Sequence, residues 1–228
     1  MPTLLLQLRG PMQSWGVRSR FDYRDTWPYP TKSGVVGLLA AALGRDRKED
    51  ISDLAAFRLG VRVDRKGVLK VDYQTAQGVL TADLGGMKNV QSWRYYLSDA
   101  AFLVGVEGEE DLLKELHQAL KNPYFPLYLG RKGYVPSPPP YLPDGLRQEG
   151  LEEALKAYPC LVPKKPEGGF LLALEARTGR LVYDQPVGPF SERRFAARYV
   201  EERLLPKEEV PEGPPTWEVA DVDQQAGA

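Results

Sequence analysis

The chain has 228 residues, 30 Lys and Arg against 31 Asp and Glu, and 43% hydrophobic residues, the composition of an ordinary globular protein and not of a disordered one. One cysteine and one histidine exclude an internal disulfide and a structural zinc site built from nitrogen and sulfur ligands. The longest uncharged apolar run, residues 33–44, falls short of the ~20 residues of a bilayer-spanning helix, and no basic segment precedes a cleavable apolar one; the expectation is a cytoplasmic protein with no membrane partner.

The near-zero net charge conceals an asymmetry. Residues 201–228 hold eight acids against Arg203 and Lys207, so the rest of the chain is basic enough for one face to meet a polyanion. The prolines at 206, 211, 214 and 215 and the polar ending make 206–228 read as an acidic, flexible tail.

Residues 3–9 (TLLLQLR) form an apolar run of strand length ended by Gly10-Pro11, the pattern of a buried first strand. A polar and aromatic loop follows. SGVVGLLAAALG at 33–44 predicts a helix packed on most sides, opened by a hydroxyl and closed by Gly44. Residues 50–57 predict a short second helix. Residues 59–64 and 68–73 alternate apolar and polar around Arg65-Lys66-Gly67, which predicts a β-hairpin. Residues 76–90 carry three glycines and no sustained period, and read as a mobile excursion. Strands are expected at 93–97 and 101–106. At 109–120 Leu112, Leu113, Leu116 and Leu120 share one face, with acids in the first turn and Lys121 at the end, an amphipathic helix in the dipole's preferred charge order. Residues 124–129 predict a strand and 130–133 (GRKG) a basic loop.

Strand, helix, strand, strand, helix, strand is the ferredoxin-like order, an α+β fold with hairpins inserted between the second and third main strands. Residues 134–143 are half proline and predict a boundary. Beyond it a helix at 151–158 and strands at 169–176, 180–183 and around 194–200 make a small, mostly β region. The expected division is 1–135, with an insertion at about 68–97, then 144–205, then the tail.

Catalytic signatures are absent: no GxSxG, P-loop, HExxH or GxGxxG occurs. His117 reads as a structural or surface residue, Cys160 as a small buried hydrophobe, and Asp22 and Asp25, lying among Arg20, Arg24 and Lys32, as ion-pair partners more than metal ligands. The signal is instead cationic and aromatic. Arg9, Arg18, Arg20, Arg24 and Lys32 interleave with Trp15, Phe21, Tyr23, Trp27 and Tyr29, a mix suited to unpaired nucleic acid: cations meet phosphates, rings stack on bases, and Gln13, Ser14 and Ser19 can read base edges. Packing of the same aromatics onto the core is the competing reading. PTKSG at 30–34 places Lys32 and Ser33 at a helix N-terminus, which favours an anion, and Arg131 and Lys132 form a second basic turn.

GPMQSWG (10–16), PTKSG (30–34), QSWRYYLSDA (91–100), YLGRK (128–132) and RRFAAR (193–198), in this order, resemble the CasD family, the subunit of type I-E CRISPR Cascade that holds the five-prime handle of the CRISPR RNA. The resemblance implies a ferredoxin-like, RNA-recognition-motif-like domain of the RAMP superfamily with a thumb-like β insertion and a small C-terminal β region. It implies a noncatalytic scaffold in antiviral defence. Its partners would be the guide RNA handle and the backbone and large subunits of Cascade, with target DNA met only through the complex and no cofactor or metal. Carried onto this sequence, the RNA-binding residues are Gln13, Ser14, Trp15, Arg18, Arg20, Arg24, Lys32, Ser33, Arg131 and Lys132, and the thumb contains Gly78, Leu84, Gly85, Met87 and Lys88. The alternative is a metal-independent endoribonuclease processing precursor CRISPR RNA, in which His117 with a nearby tyrosine or lysine would have to serve.

Overall fold

Leu4, Leu5, Leu6 and Leu8 are all fully buried in strand β1 (Thr3–Arg9), because the strand has packing on both faces. Leu4, Leu6 and Leu8 point into one apolar cluster and Leu5 into a second on the opposite side. The computed structural model describes residues 1–17 and 22–213. After β1 come β2 (Met12–Gln13), β3 (Tyr23–Arg24), α1 (Lys32–Leu43), α2 (Ser52–Ala55), β4 (Arg58–Arg65), β5 (Val68–Leu80), β6 (Met87–Ser98), β7 (Ala101–Glu107) and α3 (Glu110–Lys121). Then follow β8 (Leu146–Arg147), α4 (Leu151–Ala157), β9 (Phe170–Ala176), β10 (Arg180–Pro186) and β11 (Phe195–Leu205). The protein is mixed α+β. One sheet has the order β10-β11-β9-β4-β7-β1-β8, every pair antiparallel. A second sheet gathers β2, β3 and β5 around β6, and only its β3–β6 pair is parallel.

Helices α1 and α3 cover one face of the large sheet, burying Val35, Leu39, Leu113 and Leu116 in the cluster that holds Leu4, Phe102 and Val104. Glu109 caps α3 by accepting from the backbone N–H groups of Asp111 and Leu112, as the acidic first turn predicts. Helix α4 crosses the other face over Gly60 and Gly105, which are directly paired. A Cβ at either glycine would lie 2.7 Å from a leucine methyl of α4, that of Leu155 or Leu151, so only glycine permits this approach.

Two expectations around β5 are corrected. Residues 59–64 and 68–73 are not a hairpin: β4 pairs with β7 and β9, while β5 pairs with β6 in the other sheet. The polar residues that gave the alternation, Arg62 and Asp64, are buried and not at a surface. At Gly67 (φ 69°) the chain turns out of the large sheet, packed so closely that a Cβ would sit 2.5 Å from the Ser98 carbonyl oxygen. Residues 76–90 are not an irregular excursion but the outer half of the long β5–β6 hairpin. Its ladder shifts register between Ala76 and Val79, where Gly78 takes φ 62°, a β-bulge that the missing period reflects.

Residues 124–129 contain no strand. The N–H groups of Tyr124 and Phe125 donate to the carbonyls of Ala42 and Ala41, the first satisfying a C-terminal carbonyl of α1 and the second joining the Gly44 N–H on the Ala41 carbonyl. The strand beside β1 is β8, beyond the proline-rich segment. That segment runs along the remaining edge of β1: the N–H groups of Leu5 and Gln7 donate to Gly145 and Pro140 carbonyls, and the Ser137 N–H donates to Arg9 O. Proline offers acceptors without competing donors, so it covers an edge without extending the sheet.

The C-terminal helix and strands lie where the sequence places them, but β9 joins β4, and Phe170, Leu172 and Leu174 share a core with Leu5 and Leu103. The sheet and its core are therefore continuous across residues 134–143. The expected tail also begins later: Val210 is buried, Pro211 O accepts from the Cys160 N–H, and Lys165 Nζ donates to Lys207 O. Residues 214–228 lie outside the described residues.

Candidate nucleic-acid interface

The sequence motifs meet at the end of the sheet where β1 leads into residues 10–17. Ser14 N–H donates to Leu129 O, and the chain passes so close to Gly130 that a Cβ there would stand 1.8 Å from the Ser14 carbonyl oxygen. Gly130 also has φ 95°, so both space and backbone conformation require glycine. The Trp15 ring lies on Gly34, where a Cβ would come within 2.8 Å of Cε3. The glycines of PTKSG and YLGRK thus seat the loop GPMQSWG.

Several side chains expected to touch RNA prove to be the means of this seating. Gln13 is fully buried: its Nε2 donates to the carbonyls of Leu8 and Ala100, and its Oε1 accepts from Trp15 Nε1. Trp15 is 1% exposed. Ser14 is buried, and its hydroxyl lies 3.2 Å from Tyr95 O and 3.4 Å from Asp25 O. An amide, indole or hydroxyl placed so cannot read a base edge, because leaving those partners would strand buried polar groups.

Lys32 is corrected for a related reason. The N-terminus of α1 does receive an anion, but it is the carboxylate of Asp184: Lys32 N–H donates to Asp184 Oδ2 at 2.7 Å. Lys32 Nζ, 2% exposed as a residue, bonds both oxygens of Glu175 at 3.0 and 2.9 Å. Arg198, from RRFAAR, completes the cluster by binding Asp184 through Nε and Nη2. Burial pushes the Lys32 ammonium down from the ordinary lysine value, and Glu175 opposes that shift. The helix N-terminus is thus an anion site, as its dipole favours, but its occupant comes from β10, 152 residues away.

Arg131 ties the parts together. Its Nη2 donates to Arg24 O (3.1 Å) and Tyr95 O (3.0 Å), its Nη1 to the Tyr134 hydroxyl (2.8 Å), and its guanidinium lies 5.3 Å from the Tyr134 ring centre. The groups left at the surface are Arg24 and Lys132, with Ser33 and Arg94 half-buried. Arg18 and Arg20 lie outside the described residues.

Two hollows flank Arg131. A small one, about 240 Å³, has Arg24, Arg94, Gln74 and Ser92 on its wall and reaches Ala76, Val79 and Val90 in the middle of the hairpin. A larger one, about 660 Å³, runs along α1 and is lined by Ser33, Gly34, Gly37, Phe125, Tyr128, Lys132 and Phe190, together with Arg45, Asp46 and Arg47. Ser33 and Lys132 are the two residues of the second hollow that the sequence singles out. Phe125 and Tyr128 were hidden by the strand expectation, and Phe190 arrives from the C-terminal region.

The hairpin has two unlike faces. Leu69, Val71, Tyr73 and Thr75 lie opposite Leu97, Tyr95, Trp93 and Gln91, a face without a charged residue on which Tyr23 stacks on Trp93 at 5.0 Å. Lys70, Asp72 and Arg94 occupy the other face. Gly78, Leu84, Gly85, Met87 and Lys88 are all exposed in its outer part, Leu84 at 77%.

His117 is engaged elsewhere: Nε2 lies 2.9 Å from Leu142 O, and the ring stacks on Tyr141 at 4.8 Å. The Cys160 thiol is buried, which pushes its pKa up from the ordinary value, the nearby Asp64 carboxylate adding to the shift; that is the opposite of an activated nucleophile. Among the described residues no cluster of His, Cys, Asp and Glu could hold a metal ion, and no helix is long and apolar enough to cross a membrane.

The family described as CRISPR-associated protein (Cas_Cas5) matches residues 3–201. The Cascade subunit CasD of Escherichia coli (strain K12) is 33% identical over 217 residues, which cover 86% of this chain and 92% of that protein. A crystal structure of a Cas protein matches with 70% identity and TM-score 0.82, covering 94% of this chain and all of that one. A chain of a CRISPR RNA-guided surveillance complex matches with 33% identity and TM-score 0.74, covering 97% and 98% of the two chains. The motifs, the way they pack on one another and these similarities converge: the chain belongs to the CasD/Cas5 family of CRISPR-associated proteins.

Proposed function

We propose that this chain is a noncatalytic, cytoplasmic Cascade subunit that holds the five-prime handle of a CRISPR RNA on the surface around Arg131. The observation that carries this reading is the Arg131 tie, which binds the loop after β1, the β5–β6 hairpin and the GRK turn into one surface, with one hollow lined by Arg24 and Arg94 and another by Lys132. Fixed cations beside concave, partly aromatic walls suit an unpaired strand whose bases are splayed apart. The β5–β6 hairpin acts as the thumb that brackets the adjoining guide segment, and the backbone and large subunits of Cascade are the protein partners. Target DNA is met only through the complex. In this reading β1, α1, β4, β7, α3 and β8 are the ferredoxin-like unit: the strand order β4-β7-β1-β8, with both helices on one face, is the antiparallel arrangement of that topology.

Charge reversal at Arg24 and Lys132 tests the site. In the assembled complex each substitution should weaken guide RNA binding and flatten the dependence of log K on log salt by about 0.7 for each phosphate no longer neutralised. Lys32→Met, which removes a buried ion pair and no surface cation, should lower stability and leave that slope unchanged. The opposite pattern would exclude this surface as the RNA path.

His117→Ala should leave RNA processing unaffected, since the imidazole is held between Tyr141 and a backbone carbonyl. Sequencing the RNA ends that co-purify with the variant checks this. Loss of a metal-independent cut in the variant would establish the endoribonuclease alternative instead.

A further inference from the structure

We infer that the larger hollow along α1 is a pocket for a single unstacked nucleobase of the bound RNA, with its phosphate at Lys132 and Arg47. The inference rests on the RNA-binding reading above and adds a place and a mode of recognition to it.

The hollow has the form of a small-ligand site. At about 660 Å³ it lies within the usual ~300–1,000 Å³ of such pockets, large enough for a nucleotide. Its walls come from three separate parts of the chain: α1, residues 125–132 and Phe190. Each wall is fixed by backbone bonds. Phe125 N–H is held by Ala41 O, Tyr124 N–H by Ala42 O, and the Phe190 turn by the Ser191 N–H to Arg47 O bond, with Arg47 Nη2 on Phe190 O. The cavity is therefore preformed, and a base entering it would lose stacking in the strand but gain aromatic contact from Phe125, Tyr128 and Phe190.

Charge decides between occupants. Arg45 is neutralised by Asp53, which it meets with both Nη atoms, and Asp46 adds a negative charge to the lining. Arg47 and Lys132 have no carboxylate partner among the described residues. A hollow lined by aromatic rings and by these two cations complements a base attached to a phosphate better than an apolar protein side chain, which would leave those charges unanswered. Gly130 and Lys132, on either side of Arg131, both line the pocket, so it adjoins the surface that the Arg131 tie assembles.

Gly37 provides the test. It faces the hollow from within α1, and a Cβ there meets only the Phe190 ring edge, at 3.6 Å, an ordinary contact. Gly37→Leu should fill the pocket without breaking the helix, and Phe190→Ala removes a wall from outside it should the first variant fold poorly. Complete complexes are assembled with guide RNAs carrying one abasic nucleotide at each handle position in turn, and apparent dissociation constants are measured at fixed salt. One abasic position should weaken wild-type binding about tenfold, Gly37→Leu should weaken binding of the intact RNA by a similar factor, and the two effects should not add. If the RNA is bound but every abasic position behaves alike in wild type and variants, the pocket holds no base while the RNA-binding proposal stands. If Gly37→Leu instead abolishes an RNA-independent contact with another subunit, the pocket belongs to a protein side chain and the inference fails. If no guide RNA binds through this chain at all, it is the proposed function that fails.

Discussion

Replacing Arg62 by methionine should lower the unfolding free energy by about 3–5 kcal/mol, the cost of leaving a buried charge without its partner. Arg62 and Asp64 are both buried, and their side chains are joined through Nε to Oδ1 at 2.7 Å and Nη2 to Oδ2 at 2.9 Å. The same guanidinium donates to the carbonyls of Leu155 and Tyr158 at 2.5 Å and of Pro159 at 2.8 Å, closing the C-terminal end of α4. Asp64 also accepts from the Leu161 N–H. Without Arg62 the carboxylate would remain in the core without its counter-charge, and the carbonyls at the helix end would lose their shared donor. Denaturant unfolding at neutral pH gives the loss directly. A deficit below about 1 kcal/mol would show that the core tolerates the unpaired charge.

Arg62 also marks a limit of what the sequence makes legible. Elements defined by local periodicity are readable: β1 from its unbroken run of leucines, α3 from a leucine face and its charge order, and α4 and the C-terminal strands from their flanking turns. What a strand pairs with is not local. The alternation of Val61, Arg62, Val63 and Asp64 is the pattern of a strand with one wet face, and here both faces are covered because α4 and the residues that follow it, 93 to 97 positions later, pack over Arg62 and Asp64. Residues 124–129 have the composition of a strand, but the carbonyls at the end of α1 claim their N–H groups.

The candidate site divides in the same way. Its segments are legible, since loops rich in glycine, cations and aromatics adjoin the first strand and the first helix. The division of labour among side chains is not. Gln13, Ser14, Trp15 and Lys32 have the chemistry of RNA contacts, yet burial assigns the first three to holding the loop, and Lys32 could be recognised as an internal ion only once β9 and β10 bring Glu175 and Asp184 to it. Phe125 and Phe190 have no sequence signal that sets them apart from core aromatics, and Tyr128 has only its place at the head of YLGRK. Only their convergence on one hollow distinguishes them.

Gly130→Val should abolish guide RNA binding while leaving most of the fold intact. The glycine has φ 95°, a conformation that costs a β-branched residue on the order of 1–3 kcal/mol. The larger effect is steric: a Cβ would lie 1.8 Å from Ser14 O, so the GRK turn and the GPMQSWG loop must separate. That separation breaks the Ser14 N–H to Leu129 O bond and carries Arg131 away from Arg24 O and Tyr95 O, dismantling the tie on which the surface depends. The large sheet lies beneath and keeps its own ladders, so the far-ultraviolet circular dichroism should be nearly unchanged. Gly133→Ala is the matched control: its Cβ would meet nothing within 4 Å, and both stability, within about 0.5 kcal/mol, and RNA binding should match wild type. Wild-type guide binding by complexes containing Gly130→Val would mean that the RNA does not depend on the junction of these two loops, and the site would have to be sought elsewhere on the chain.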